Sequence, residues 1–143
     1  MRFDRRTLNL RSMKEKDAEE LCFQAEAMSG AERERKTHLL RDMVRNSPDN
    51  INSKAVLTIE EKDTAKVIGI IITERAQYVM FATVIIPNEQ NILKYGYDAV
   101  DQFIKVCKEE CPNLKKVKLS KENAASKIYL EKKGLKFEYV KVA

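Results

Sequence analysis

Apolar residues recur at two spacings along the chain, and each change of spacing marks a change of element. Behind Asp17 they recur every three or four residues, which predicts a helix with this aspartate as its N-cap. Ser29 repeats the capping pattern and opens a second predicted helix. The short strand candidate Thr7–Met13 precedes the first helix, and the polar segment Ser47–Ser53 follows the second as a loop.

Three strands are predicted in the middle of the chain. Lys54–Glu60 alternates, with Ala55, Leu57 and Ile59 on one face of the predicted strand. Lys66–Thr73 and Tyr78–Ile86 are nearly continuous in apolar residues and rich in Val and Ile, which suits central strands covered on both faces. Pro87 ends the third of these strands.

The last part of the chain alternates between helix and strand patterns. Its predicted elements are an amphipathic helix Ile92–Glu110 that Pro112 stops, a strand Lys115–Leu119, a helix from its cap Asn123 to Gly134, and a strand Leu135–Val142. The resulting order, β-α-α-β-β-β-α-β-α-β, predicts one α/β domain over residues 1–143, with a central mixed sheet and helices on both of its faces.

The charge pattern separates several classes of protein. The 143 residues carry a formal net charge of +5, which suits either an anionic partner or ordinary solubility. Positive and negative residues are mixed along the chain, no stretch is a pure Lys/Arg block, and aromatic residues do not interleave with the basic ones. This pattern disfavours nucleic acid as the partner, because a base-stacking surface needs both kinds of residue together.

Metal and membrane sites are not expected. Cys22, Cys107 and Cys111 form no Cys-x-x-Cys pair, and a single histidine cannot complete a zinc site of about four ligands. The N-terminal residues lack the apolar core of a signal peptide, and the longest apolar runs are far shorter than the roughly 20 residues that span a bilayer. We therefore expect a cytoplasmic protein.

The segment after the fifth predicted strand carries a family motif. It reads Asn123-Ala-Ala-Ser126-Lys-Ile-Tyr129-Leu-Glu-Lys-Lys-Gly134-Leu135. It resembles the last helix of the GNAT superfamily of N-acetyltransferases, where an asparagine is followed by a small residue three positions on and by a Glu-Lys-x-Gly-Phe ending. The element order and the strand that ends at Ile86-Pro87 resemble the same family over nearly the whole chain.

The resemblance implies a donor and a place for it. GNAT enzymes bind acetyl-CoA between two splayed parallel strands, which here end at Ile86 and Leu119. The pantetheine arm would lie along Val84–Ile86 like an added strand, and a backbone N–H there would polarise the thioester carbonyl. The diphosphate would sit at the start of the helix near Ile92, where backbone N–H groups lack intrahelical partners. The cofactor-binding residues that the resemblance assigns are Val84, Ile85, Ile86, Asn91, Leu93, Lys94, Tyr95, Gly96, Tyr97, Asn123, Ser126, Tyr129 and Lys132.

The diphosphate loop departs from the family pattern. The family's Gln/Arg-x-x-Gly-x-Gly/Ala corresponds here to Asn91-Ile92-Leu93-Lys94-Tyr95-Gly96, in which Gly96 matches while Asn91 and Lys94 do not. A side chain at Lys94 would crowd a diphosphate that a glycine lets approach, whereas its ammonium group would pair with one. Both readings stay open.

A second departure concerns the proton that must return to the CoA thiolate. Many members of the family use a tyrosine four residues before the helix-ending glycine, and that position is Leu130 here. Tyr129 lies one residue earlier, about 100° away around a helix. Either the helix is rotated and Tyr129 is the catalytic general acid, or Tyr129 packs in the core and the thiolate leaves unaided. For the general base, Glu60, Glu74 and Glu89 at strand ends are candidates, and none is preferred.

Three functions follow as hypotheses. The leading one is an acetyl-CoA-dependent N-acetyltransferase that acts without a metal, by direct transfer to a primary amine on a small molecule or peptide. The second is a GNAT-fold protein without transferase activity that serves as a CoA-binding or interaction module. The third, a basic nucleic-acid-binding module, rests only on the net charge. Acceptor specificity would come from Lys16–Asn50, which carries no recognisable motif, and a homodimer is left open because members of the family often dimerise.

Overall fold

The computed structural model describes residues 8–22, 29–46 and 50–143. Within these ranges the predicted order of elements is confirmed. The elements are β1 (Leu8–Ser12), α1 (Glu15–Cys22), α2 (Gly30–Asn46), β2 (Lys54–Glu61), β3 (Val67–Ala76), β4 (Val79–Ile85), α3 (Glu89–Glu110), β5 (Lys116–Leu119), α4 (Ala124–Lys132) and β6 (Tyr139–Lys141).

The six strands form one mixed sheet in the order β1-β2-β3-β4-β5-β6. Neighbouring strands run antiparallel except β4 and β5, which are parallel because α3 carries the chain back between them. Their register extends from Val79 opposite Lys116 to Ala82 opposite Leu119. β5 ends there, whereas β4 continues to Ile85, so the two parallel strands separate at that point.

Apolar clusters lie on both faces of β3, as its near-continuous apolar sequence predicts. The prediction that β4 is also covered on both faces is wrong, because Phe81, Thr83 and Ile85 on one of its faces are exposed. The larger cluster fills the space between the sheet and the helices α3 and α4, and Met80, Phe103 and Val117 are fully buried in it. The smaller cluster lies under α1 and α2, where Ala18 and Leu21 pack with residues of β2 and β3. The predicted mixed sheet with helices on both faces is therefore confirmed.

Two helix-boundary predictions from single residues are also confirmed. The Ser29 hydroxyl accepts a hydrogen bond from the backbone N–H of Glu32 at 3.2 Å, as an N-cap does. Gly134 follows α4 with φ of 68°, the left-handed conformation that glycine adopts without steric cost. Thr7 of the first predicted strand, and residues 47–49 of the predicted loop, lie outside the described residues.

The predicted N-cap at Asp17 is wrong, because this residue takes part in an ion pair instead. α1 begins at Glu15, which places Asp17 inside the first turn. Its carboxylate accepts hydrogen bonds from the backbone N–H of Lys14 at 2.8 Å, from the Arg11 guanidinium at 2.7 and 2.9 Å, and from the Thr58 hydroxyl at 3.1 Å. The contacts join α1 to β1 and β2, and no local pattern in the sequence shows such long-range partners.

Two further predicted boundaries are wrong. α3 begins at Glu89 rather than near Ile92, because Asn88 is its N-cap and accepts a hydrogen bond from the backbone N–H of Asn91 at 3.1 Å. The last strand is limited to Tyr139–Lys141, whereas the alternation predicts Leu135–Val142. The alternating residues at 135 and 137 are exposed, so their pattern does not reflect pairing in the sheet.

Candidate functional site

The separation of β4 from β5 leaves backbone groups of β4 facing a gap. The carbonyl of Tyr78 accepts hydrogen bonds from the N–H groups of Lys115 and Lys116, so even-numbered residues here direct their backbone groups toward β5. Backbone direction alternates along a strand, which means that the N–H and C=O of Val84 point the same way. Val84 lies beyond the last paired residue of β5, Leu119, and its backbone therefore faces the gap.

The side chain of Asn123 occupies this gap. Asn123 is the N-cap residue of α4 by position, yet its side chain makes no capping hydrogen bond. Its Oδ1 instead accepts a hydrogen bond from the backbone N–H of Val84 at 3.2 Å. Asn123 thus lies at the predicted N-cap position of the last helix, but the prediction that its side chain caps the helix is wrong. The Val84 N–H has no strand partner and binds the same side-chain oxygen that a cap would use.

A second polar group lies on the same side of α4. Ser126 is three residues after Asn123, a spacing that places both on one face of a helix. Its side chain is fully buried, with 0% exposure, and Oγ has no hydrogen-bond partner among the described residues. A buried hydroxyl without a partner is costly, so this oxygen is one that a bound polar group would satisfy.

The predicted diphosphate segment lies inside a helix. The first intrahelical hydrogen bond of α3 runs from the N–H of Ile92 to the carbonyl of Asn88, so the N–H groups of Leu93–Tyr97 are in the helix interior. The amides of Glu89 and Gln90 precede that bond, and the Glu89 carboxylate beside them opposes an anion. Residues 91–97 therefore lack the free backbone N–H groups on which the predicted diphosphate site depends.

Gly96 has a packing role that accounts for its identity. A Cβ built on this residue would lie 3.2 Å from the Cβ and 3.3 Å from the Cα of Ala125. These contacts are between α3 and α4, so the glycine lets the two helices approach closely. Helix packing alone therefore accounts for a glycine at this position, without a bound phosphate.

Lys94 is exposed beside a tyrosine and a glutamate. Its Nζ lies 5.0 Å from the centre of the Tyr95 ring, and the Tyr95 hydroxyl donates a hydrogen bond of 2.5 Å to Glu61. Tyr95 is the main cause of the raised pKa of Lys94 and of the lowered pKa of Glu61. Lys94 is therefore a cation at neutral pH, and any contact with the donor would come from its side chain rather than from its backbone.

Tyr129 is part of the interface between α3 and α4. It is 3% exposed, its ring centre lies 5.3 Å from that of Tyr97, and burial is the main cause of its raised pKa. The Nζ of Lys132 lies over the Tyr97 ring at 4.9 Å. Leu130 is also buried. This environment favours the core-packing alternative, and a catalytic role for Tyr129 stays a prediction.

The candidate bases differ in availability. The carboxylate of Glu60 accepts hydrogen bonds from Asn9 at 2.9 Å and from Arg11 at 2.8 Å, which lower its pKa. A carboxylate engaged in this way is a poor proton acceptor. Glu74 and Glu89 are exposed. The geometry selects neither of them, and the general base is not assigned.

The segment expected to select the acceptor borders a cavity. This cavity lies between α1 and α2 and has a volume of about 360 Å³. Its lining residues are Glu19, Gly30, Arg33, Glu34, Thr37, His38 and Arg41. Its charged side chains are of both signs, so the cavity has no strong preference for one charge. Part of the segment Lys16–Asn50 lies outside the described residues.

Metal and membrane features are absent from the described part of the chain. No group of three His, Cys, Asp or Glu side chains among residues 8–22, 29–46 and 50–143 is arranged to hold a metal ion. No helix within these ranges combines the length and the apolar character needed to cross a bilayer.

The element order, the mixed sheet and the gap between its two parallel strands define the GNAT acetyltransferase fold. Similar solved structures include a GNAT-family acetyltransferase from Bacillus anthracis, with 17% identity and a TM-score of 0.63 over 90% of this chain and 79% of that one. Another is the spermidine N-acetyltransferase from Vibrio cholerae in complex with CoA and spermine, with 15% identity and a TM-score of 0.59 over 90% and 80%. No protein-family model and no curated protein sequence matches the chain.

The residues fit one part of a CoA thioester better than the other. The strand edge at Val84 with Asn123 bound to it, and the buried Ser126 hydroxyl three residues after Asn123 on α4, offer hydrogen-bonding groups to an amide-containing arm such as pantetheine. The helical segment 91–97 does not offer the corresponding groups to a diphosphate. The site thus fits the arm that carries the acyl group.

Proposed function

We propose that this protein is an acetyl-CoA-dependent N-acetyltransferase that transfers an acetyl group directly to a primary amine. The observation that carries the proposal is the gap after Leu119, where the backbone N–H of Val84 donates a hydrogen bond to the Asn123 side chain rather than to a neighbouring strand. The buried hydroxyl of Ser126, which has no hydrogen-bond partner within residues 8–22, 29–46 and 50–143, supports it. The structural similarity to solved acetyltransferases, one of them in complex with CoA and spermine, points the same way.

The chain's own groups would hold the donor arm by backbone and side-chain hydrogen bonds. When bound, the thioester supplies an activated acyl group. Val84 would offer its N–H to the arm once the Asn123 amide has moved aside, and the Asn123 amide and Ser126 hydroxyl would offer further hydrogen bonds. A backbone N–H of β4 directed at the thioester carbonyl would stabilise the negative charge that develops there during attack.

The acceptor would be a primary amine on a small molecule or peptide. Such an amine has a pKa of about 10.4, so a base must remove its proton before attack. The cavity between α1 and α2 is the place where the described residues could select the acceptor, since it lies on the elements that the resemblance implicates. Spermidine and spermine are the acceptors to test first, because the similar solved structure is a spermidine N-acetyltransferase in complex with CoA and spermine.

A second candidate function is a CoA-binding or interaction module without transfer. Two observations favour it: the buried position of Tyr129 and the enclosure of residues 93–97 in α3. The two functions share the gap at Val84 and differ in chemistry. Donor binding without thiol release over a broad amine panel would support the module, and detected turnover would reject it.

The experiment combines thermal unfolding with a thiol-release assay. Acetyl-CoA at about 100 times its dissociation constant should stabilise the protein by about 2.7 kcal/mol. Ser126→Ala should reduce that shift, whereas Ser53→Ala, which changes an exposed side chain, should not. Thiol release should then require an amine from the panel. If millimolar acetyl-CoA causes neither thermal stabilisation nor thiol release, acetyl-CoA is not the donor and the proposal is contradicted.

A further inference from the structure

Half of one face of the sheet is not covered by any of the helices α1–α4 that the structure describes. Ile70 and Ile72 of β3 belong to the cluster under α1 and α2, and they lie opposite Ile85 and Thr83 of β4. Beyond β3 the same face continues over β4, β5 and β6, where its side chains are exposed or half-buried. This surface, called the open face below, consists of Val79, Phe81, Thr83, Ile85, Lys116, Lys118, Tyr139 and Lys141.

The open face carries two exposed rings with a lysine between them. Phe81 lies opposite Lys118, and Lys118 lies opposite Tyr139, so the three residues form one row across three strands. Phe81 is 43% exposed and Tyr139 is 42% exposed. The Nζ of Lys118 is 5.8 Å from the Phe81 ring centre and 5.9 Å from that of Tyr139, and Lys116 lies 4.5 Å over the Tyr139 ring.

The charge of the open face is positive. Lys116 and Lys141 are register partners in the row next to Lys118, which adds two further cations. Glu74, opposite Phe81 on β3, borders the face and contributes one negative charge. A partner must therefore supply negative charge together with flat apolar groups that can stack on exposed rings.

We propose that the open face binds single-stranded nucleic acid, with unpaired bases on Phe81 and Tyr139 and phosphates near the lysines. A duplex would keep its bases stacked within itself and would leave the rings without a partner. Base stacking on an exposed ring is typically stronger than an exposed cation–π contact, so a base can displace a lysine from a ring face. The displaced ammonium group then lies free to pair with a phosphate.

The aromatic and basic side chains of the open face come from three separate parts of the sequence. This separation explains why aromatic and basic residues do not alternate along the chain. Phe81, Lys116, Lys118 and Tyr139 meet only through the pairing of β4 with β5 and of β5 with β6. A second copy of this chain is the main competing occupant. Two copies facing each other would bring their lysines together, so like charge disfavours it. The proposal is independent of acetyl transfer.

Fluorescence anisotropy with labelled oligonucleotides tests the proposal. The probes are a 15-nucleotide oligo-U, the matching oligo-dT and a duplex of the same length. We expect both single strands to bind more tightly than the duplex. With three lysines at phosphates, the affinity should fall roughly 20-fold between 50 and 200 mM salt. Absence of binding to either single strand at 50 mM salt, or preference for the duplex, would overturn the proposal.

Variants assign the binding to the open face. Phe81→Ala with Tyr139→Ala should weaken binding at least tenfold, whereas Leu93→Ala, an exposed side chain on α3, should not. Lys118→Gln should reduce the salt effect to roughly sevenfold, and Lys108→Gln on α3 should leave it unchanged. Should the double aromatic variant not fold, the two lysine variants decide. Equal losses in the α3 variants, or a dimer that Lys118→Gln strengthens, would contradict the proposal.

Discussion

The side-chain oxygen of Asn123 lies 3.2 Å from the backbone nitrogen of Val84, across the gap that opens where β5 ends. The same N–H is the group that a pantetheine arm would need on β4. Asn123 therefore satisfies the strand edge, and it would have to release this N–H for the proposed donor to bind there. One hydrogen bond thus connects the local stability of the sheet to the proposed function.

Replacing Asn123 tests this hydrogen bond directly. Asn123→Ala leaves the N–H of Val84 without its partner, and we expect the free energy of unfolding to fall by about 1–3 kcal/mol. Urea denaturation of the free protein measures the change. Glu122→Ala is the matched control, since it alters the exposed neighbouring side chain and should cost less than about 0.5 kcal/mol. Equal stability of the two variants would show that the bond contributes nothing.

A glycine on β3 fixes the position of β4 next to the gap. A Cβ on Gly69 would lie 2.4 Å from the carbonyl oxygen of Ile85 and 2.9 Å from Cγ1 of Ile86. We expect Gly69→Ala to destabilise the protein by about 2 kcal/mol or more, because backbone must move to admit the methyl group. Gly30→Ala, where nothing lies within 4 Å, should be neutral or stabilising. Chemical denaturation compares the two, and a neutral Gly69→Ala would contradict the packing.

The buried carboxylate of Asp17 should make stability depend on pH. Burial raises the pKa of Asp17, but its hydrogen bonds with Arg11 and Lys14 outweigh burial and lower the pKa below 3.8. A lowered pKa in the folded state means that the stabilisation is present above about pH 4 and is lost as pH falls through the folded-state value. Asp17→Asn should therefore cost about 3 kcal/mol at pH 7, with the difference from the natural chain shrinking below pH 4.

Glu19→Gln is the control for that pH series. Glu19 pairs with Arg41 at 3.3 Å, and its own side chain is 57% exposed while that of Arg41 is 34% exposed. Exposed ion pairs contribute about 0–1 kcal/mol, so this variant should follow the pH profile of the natural chain. Unfolding free energies measured between pH 2 and pH 7 provide the comparison. A constant difference between Asp17→Asn and the natural chain over that range would contradict the assigned ion pair.

The packing of Tyr129 predicts the effect of removing its hydroxyl. If Tyr129 only packs in the core, the thiol-release rate of Tyr129→Phe should stay within about threefold of that of the natural chain. Tyr97→Phe, which removes the hydroxyl of the other ring in the same pair, is the matched control. A general acid contributes roughly 10²–10⁴ to the rate, so a loss of that size would assign the catalytic role instead. The measurement rests on the proposed transferase activity, with circular dichroism confirming that both variants fold.

The sequence predicted the order of the elements because that order depends on local periodicity and on residues such as Ser29 and Gly134. It missed the start of α3, since Asn88 caps the helix one turn before the family pattern places it. It also missed the partner of Asn123, which is the backbone of Val84 on β4, far away in the sequence. The open face was invisible for the same reason: its row of Phe81, Lys118 and Tyr139 exists only after the strands are in register.

The central claim is that the gap at Val84 holds the acyl-bearing arm of the donor. An NMR titration of the ¹⁵N-labelled protein with acetyl-CoA tests it most directly, because it reports on Val84 and Asn123 whether or not an acceptor is known. We predict that the Val84 amide, the Asn123 side-chain NH₂ and the Ser126 amide shift together in one saturable process. Saturable binding that leaves these three resonances unchanged, or no binding at millimolar acetyl-CoA, would contradict the account.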